Sequence, residues 1–325
     1  MEYTSTTFQT FQEIQWRISK NLKQKQQWYS KLEDIQAALE LLKSSVDQHL
    51  LLEAQTNLAQ LQQELEQEMI VNLLSDPCDQ HGAYLTIAAG VSDPETDAWA
   101  NALLRIYYLW ATTHLYKVSL FDTAKSDITK VKYILQIQGR YVYGYLKSEQ
   151  GIHTRIVRIS PKNGQGKRLT CSNIIEVSPI LPKETEFEIP EHHLEILLPC
   201  NYGNINRPKT WVQVVHTSTG VVVFCDHERS QIENKKQALA ILKSKLVAIA
   251  LAQGVKSIAD IQPGQIKSLS SQIIREYVLH PYTKVKDLRT KVETTNVQDV
   301  LNGNIDFLIK AYLQQQSYMT AEKSS

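Results

Sequence analysis

Between Gln150 and Ile175 the chain carries Arg155, Arg158, Lys162, Lys167 and Arg168 and not one Asp or Glu. Ser160-Pro161 and Asn163-Gly164 mark a loop at the centre of this window. Cationic strands that converge on an acid-free Gly/Asn loop suit a nucleic-acid backbone, because Lys and Arg neutralise phosphates and release condensed counterions. The alternative is an ordinary solvated basic turn, since charge runs are commonly plain surface. A second basic set, Lys235, Lys236, Lys243 and Lys245, follows in a helical stretch. The segment 183–195, with Glu184, Glu186, Glu188, Glu191 and Glu195, would face away from a polyanion.

Two other groups of residues could do chemistry. The stretch LPCNYGNINRPKTW, residues 198–211, is rich in turn formers and precedes two alternating segments around Ser218-Thr219-Gly220, so it sits at the tip of a β unit, where functional groups often lie. Cys200, His216, Cys225 and His227 fall in or near the same hairpin, but their spacing matches no common zinc pattern, and hairpin residues alternate faces. His192-His193 has no adjacent nucleophile and reads as a turn entering a strand. The four cysteines are scattered with no C-x-x-C pair, which fits reduced thiols. Neither a metal nor a cofactor is expected.

The elements that must carry these groups are legible in outline. Residues 8–74 are Gln-, Glu- and Leu-rich, with apolar residues at Leu32, Ile35, Leu39, Leu42 and Val46, a helical spacing that predicts a helical hairpin or three-helix unit. AYLTIAAG (83–90) reads as a strand, and the stretch 93–116 opens with an acidic, Pro-containing helix start; Trp99, Tyr107 and Trp110 fall on one side of that helix as core. Residues 130–147, 153–160 and 169–181 alternate as strands, which would set Tyr141, Tyr143 and Tyr145 on one strand face, as core or as a stacking platform for bases. Residues 230–254 and 296–316 are helical, the latter broken at Gly303. Lys plus Arg number 35 against 34 Asp plus Glu, so any basic surface is local, and no apolar run is long enough to span a bilayer.

Several segments together resemble class I peptide chain release factors of bacteria and plastids, closest to release factor 2. They are AG followed by DAWANALLRIYYLWA (97–111), YVYGYLKSEQGIH (141–153), RIVRISP (155–161), GKR with Thr170, HTSTGVVVFCDHERSQIENKKQAL (216–239) and SQIIREYVLHPYTKVKDLRTKVETTNVQDVLNGNIDFLIKAYL (271–313). The resemblance implies an α+β fold in four parts. These are a helical N-terminal domain over 1–82, a β-rich decoding-type domain over 83–187, a peptidyl-hydrolysis-type domain of hairpin plus helix over 188–258, and a C-terminal segment, 259–325, that packs back on the second.

Two motifs that carry the family's function are altered. The decoding tripeptide Ser-Pro-Phe aligns with Ser160-Pro161-Lys162, and the polar codon-contacting residue that follows is Leu169, while Thr170 remains. Lysine replaces a packing surface with a cation, and leucine can neither donate nor accept a hydrogen bond, so stop-codon reading is expected to be weakened or lost. The hydrolytic Gly-Gly-Gln occurs nowhere in the chain; aligning Asn206-Arg207 with the family leaves only PCNYGN, with Cys200, Asn201, Tyr202, Gly203 and Asn204 in a loop about three residues shorter, a loss of up to about 10 Å of reach.

The leading expectation is a protein that binds the ribosome, through rRNA and mRNA in the A site, or another RNA, without catalysing hydrolysis, in regulation, rescue or RNA protection. Arg155, Arg158, Lys167, Arg168, Arg207, Arg229, Lys235 and Lys236 are the RNA-contact candidates. The alternatives are a termination factor with a rebuilt loop at Tyr202–Asn204, and a ribosome-independent protein that stabilises a specific transcript. A monomer away from membranes is expected, cytoplasmic or, after processing, in the plastid stroma.

Overall fold

The computed structural model describes residues 2–44, 47–74, 76–89, 93–122, 131–159, 167–182, 189–199, 210–255, 257–269, 271–280 and 282–324. The chain divides into two compact units, Met1–Asn72 and Leu73–Ser325. The first is a hairpin of two long helices, α1 (Glu2–Ser44) and α2 (Gln48–Leu73). Its seam differs from the expected stripe. Ile35, Ala54 and Leu61 are buried, but Leu32 and Leu39 are 44% and 48% exposed. The seam is completed instead by amphipathic residues: Lys31 pairs with Glu64 at 2.7 Å and Trp28 Nε1 donates to Glu64, so aromatic and aliphatic stems fill the space a leucine pair would take.

The second unit begins with β1 (Ala83–Ala89), followed by α3 (Pro94–Thr113), β2 (Lys117–Asp122), β3 (Val131–Gln138) and α4 (Val142–Leu146). Then come β4 (Gly151–Ile159), β5 (Lys167–Pro179), β6 (Leu194–Leu197), β7 (Val212–His216), β8 (Val221–Cys225) and α5 (Gln231–Gln253). The chain closes with α6 (Pro263–Leu269), β9 (Ile273–Val278), β10 (Lys284–Asp287), β11 (Glu293–Thr294), α7 (Val297–Leu301) and α8 (Asp306–Ser324). Among the described residues one sheet has eight strands in the order β11-β10-β9-β4-β5-β1-β3-β2, and a second has three in the order β6-β7-β8. All pairs are antiparallel except β4 with β9. Mixed helix and sheet in this arrangement is the α+β class expected from the sequence.

Helix α3 starts cleanly because Asp93 caps it, accepting from Thr96 N at 2.8 Å, with Pro94 in the first turn. It buries Trp99, Leu103, Ile106, Tyr107 and Trp110 along one side, as their spacing predicts. Helix α5 covers the small sheet, and Val212, Val214, Val223, Ala238, Ile241 and Leu242 share one hydrophobic cluster with Tyr84, Phe121 and Ile134 of the large sheet. The expected break at Gly303 is real. Its φ is +95°, and a Cβ there would lie 2.7 Å from the backbone nitrogen of Trp110, so α7 can turn into α8 against α3 only through a glycine.

One element is not as expected. Tyr141, Tyr143 and Tyr145 do not alternate on a strand. β3 ends at Gln138, Tyr141 takes a left-handed φ of +65°, and the chain coils into α4. The amides of Tyr141 and Tyr143 donate to the carbonyls of Gln80 and His81, so tertiary backbone bonds override the β propensity of the tyrosines.

Candidate nucleic-acid interface

The long hairpin of β4 and β5 carries the cation-rich window. Its register sets Ile156 opposite Thr170, Val157 opposite Leu169, Arg158 opposite Arg168 and Ile159 opposite Lys167. Cationic residues thus occupy both strands at the last paired positions before the tip. Like charges directly opposite each other disfavour a strand pair, so this stem is suited to an external anion. The tip itself, with Ser160, Pro161 and Lys162, lies outside the described residues, as do the side chains of Arg158, Lys167 and Arg168. Leu169 is half-buried and Thr170 exposed.

Arg155 has a different task. Its Nη2 donates to Glu95 Oε2 at 2.6 Å, its guanidinium lies 5.9 Å from the Trp99 ring, and its side chain is 14% exposed. It ties β4 to the first turn of α3. Asn173 does the same for β5, donating to the Thr96 carbonyl at 3.1 Å, and Trp99 Nε1 donates to the His153 carbonyl at 3.0 Å.

The base of the hairpin rests on a buried ionic cluster that the sequence did not signal. Arg275 on β9 grips Glu149 through both terminal nitrogens, at 2.5 and 2.6 Å, and lies 3.5 Å from Asp287, which in turn accepts from Arg289 at 2.9 Å. Tyr107 OH donates to Glu149 at 3.0 Å. Arg275, Glu149 and Asp287 are fully buried. Burial pushes Glu149 up, and the Arg275 charge and hydrogen bonds more than offset it, holding the carboxyl below its ordinary range. His153, also fully buried, is pushed down to about 4 by burial and by the Arg275 charge. Burial raises Tyr277 to about 12. These residues come from four separated segments and meet only in the folded chain, which is why no local spacing reveals them.

The second basic set divides. Lys235, Lys236 and Arg229 are exposed, with Lys236 held by Glu233 at 2.8 Å. Lys245 instead reaches Glu176 on β5 at 2.8 Å and joins α5 to the large sheet.

The loop between β6 and β7, with Cys200, Asn201, Tyr202, Gly203, Asn204 and Arg207, lies outside the described residues, but its exit is well defined. Asn234, fully buried in the first turn of α5, accepts from Glu228 N at 2.8 Å and donates to the carbonyls of Thr210 and Glu228 at 2.8 and 2.9 Å. Thr210 Oγ1 adds a bond to the Glu228 carbonyl at 3.0 Å, and Trp211 stacks on Phe224 with ring centres 5.8 Å apart. One carboxamide therefore clamps the loop exit to the β8–α5 connection. In the same hairpin Cys225 pairs with Val212 and His216 with Val221, at opposite ends of the strands, and His227 packs edge-on to Phe121. The register keeps these residues apart rather than gathering them. Burial and the neighbouring His193 lower the pKa of His216.

The chain matches the PCRF domain over residues 2–175 and the RF-1 domain over residues 183–289. It is 40% identical over 291 residues to a chloroplastic peptide chain release factor of Arabidopsis thaliana, covering 87% of this chain and 64% of that protein. It is 37% identical over 289 residues to peptide chain release factor 2 of Clostridium perfringens, covering 87% and 79%. Among solved structures, RF2 of Thermus thermophilus superposes with a TM-score of 0.69 at 28% identity, over 91% of this chain and 85% of the other.

Proposed function

The chain belongs to the class I peptide chain release factor family, on its release factor 2 branch, and from that membership we propose that it binds the ribosomal A site, or another RNA, without hydrolysing peptidyl-tRNA. The observation that carries this reading is the sequence between Pro199 and Thr210. It contains no Gly-Gly-Gln, and nothing in it pairs the backbone freedom of two glycines with a carboxamide of glutamine length. Hydrolysis of the ester needs a water held near the carbonyl and a donor to the developing oxyanion, both placed within a fraction of an ångström. A shortened loop ending in Asn204 has neither the reach nor the side chain.

Binding is supported by residues the loss leaves untouched. The β4–β5 stem keeps cationic residues at its last paired positions. Lys162, where the family has an aromatic, suits phosphate better than a base edge. In this reading the hairpin enters the RNA, Arg158, Lys167 and Arg168 meet phosphates, and Arg229, Lys235 and Lys236 supply a second contact. The role is then occupancy of the site in regulation or rescue.

A termination factor with a rebuilt loop is the second reading, and the intact clamp of Asn234 on the loop exit favours it. Peptide release from stop-programmed ribosomes separates the two: no release above background is expected, and robust release overturns the proposal. Co-sedimentation with ribosomes then tests the partner, since a chain that stays unbound at low salt but retains RNA binding is a transcript-binding protein instead. No helix among the described residues is long and apolar enough to cross a membrane.

A further inference from the structure

We propose that the cavity between the large sheet and α5 is a binding site for a guanine base, taken up as the free nucleoside. The cavity encloses about 350 Å³, towards the lower end of small-molecule sites and sufficient for a nucleoside. β5 lies beneath it, α5 and α6 stand at its sides, and the turn from Thr219 to Val222 closes it above.

Polar side chains from three segments converge on this space. Glu176 and Ser178 are two apart on β5, so they share a face, the one that Tyr84, opposite Ser178, turns into the α5 cluster. Gln150 stands just before β4, whose Gly151 pairs with Ile175, and so comes level with Glu176 on that face. Lys245 reaches in from α5, its Nζ 2.8 Å from Glu176 Oε2. Among the described residues that is the only hydrogen bond the four side chains make. Ser178 is nevertheless only 3% exposed, and Lys245 10% at its side chain. An aliphatic cavity with a few unspent donors and acceptors at one end is the general form of a small-molecule site.

The donors and acceptors select the ligand. The Lys245 charge holds the Glu176 carboxyl below its ordinary range, so at neutral pH it is purely an acceptor. Its Oε1 is open, its Oε2 keeps a second lone pair, and beside them the ammonium has N–H groups left over. An acceptor pair next to a cationic donor is the complement of guanine, whose N1–H and N2 amino group donate while O6 accepts. Gln150 or Ser178 can then donate to N7. Adenine presents its amino group where guanine has O6 and so sets donor against donor. Val131, Ala248, Ile249 and Ile266 offer aliphatic surface to the faces of a planar ring. Glu176 and Lys245 are the only charged residues among those lining the cavity, and they neutralise each other, so no spare cation awaits a phosphate.

The test is calorimetric titration of the full chain with guanosine, which should show one saturable site. Inosine, which lacks the N2 amino group, should bind about tenfold more weakly, adenosine not measurably, and GMP no more tightly than guanosine. Glu176→Gln should weaken guanosine binding by about tenfold or more, and Ala248→Phe, which places a ring in the cavity, should abolish it. Circular dichroism checks that both variants fold. Because either substitution could loosen α5, hydrogen exchange of the unmutated chain gives an independent reading: guanosine should slow exchange in the 219–222 turn and α6 and leave α1 unchanged. The proposal is overturned if guanosine shows no binding at about 1 mM. It is equally overturned if adenosine matches guanosine or GMP exceeds it, if a folded Glu176→Gln or Ala248→Phe binds undiminished, or if protection appears away from the cavity and not at it.

Discussion

Arg275 and Glu149, 126 residues apart in sequence, meet in a two-point ion pair with both side chains fully buried. Breaking such a pair from one side strands a charge in the interior. Arg275→Met is therefore expected to lower stability by about 3–5 kcal/mol, and Arg275→Met/Glu149→Leu to recover much of that loss. Urea midpoints of the two variants check it; equal losses would show that the cation packs rather than pairs.

His153 gives the fold a pH dependence. Its folded pKa, about 4, lies below the unfolded value of about 6.5. Above pH 6.5 neither state is protonated and the stability is fully present. As pH falls from about 6.5 towards 4 the unfolded chain takes up a proton that the folded chain refuses, so stability declines through that window. His114 works the other way. The Asp306 carboxylate, 3.3 Å distant, raises its pKa, so its contribution is present below about 6.5 and fades as pH rises past its folded value. The difference between wild type and His153→Gln in urea titrations at pH 7 and pH 5 isolates the first effect; parallel curves would refute it.

Leu115 ends α3 at a φ of +59° with 93% of its surface exposed. The left-handed region costs a residue with a Cβ about 1–2 kcal/mol, and glycine returns part of that through the unfolded chain. Leu115→Gly is expected to raise stability by about 0.5–1 kcal/mol, read as a higher thermal midpoint.

Asn234 holds three backbone partners at the exit of the 200–209 loop. Asn234→Ala removes the partner of Glu228 N and of the Thr210 carbonyl and leaves the Glu228 carbonyl with Thr210 Oγ1 alone, and a loss of about 1–3 kcal/mol is expected. Asn234→Asp keeps the acceptor for Glu228 N but loses both donors. Limited proteolysis should cut the loop faster in both variants; an unchanged cleavage rate would mean that the loop is positioned from β6.

RNA binding should distinguish the arginines. Arg158→Gln, Lys167→Gln and Arg168→Gln are each expected to reduce the slope of log affinity against log salt by about one. Arg155→Gln should leave the slope unchanged, because that charge is already met by Glu95. A reduced slope for Arg155→Gln would place its guanidinium on RNA after all.

The elements around the interface were legible because their signals are local. Asp93-Pro94 opens α3, Ser218-Thr219-Gly220 turns β7 into β8, and β-branched alternation marks β4 and β5. The tyrosines at 141, 143 and 145 misled because alternation there competes with backbone bonds from Gln80 and His81. The leucine stripe at 32 and 39 misled because two antiparallel helices can use a seam one residue away, filled by Trp28 and Lys31. The Arg275 cluster was invisible for a third reason: a lone Arg in the strand IIREYV gives no hint of a carboxylate 126 positions earlier.

The parallel pairing of β9 with β4 has a consequence for how the molecule is made. β4 is complete at Ile159, yet its second neighbour begins only at Ile273. Until roughly the last sixth of the chain is synthesised, a central strand of the large sheet remains an open edge, available to any strand that meets it. A messenger truncated before codon 273 therefore yields a product prone to stick rather than a smaller working domain, and the completed C-terminal segment acts as the lock that ends this exposure.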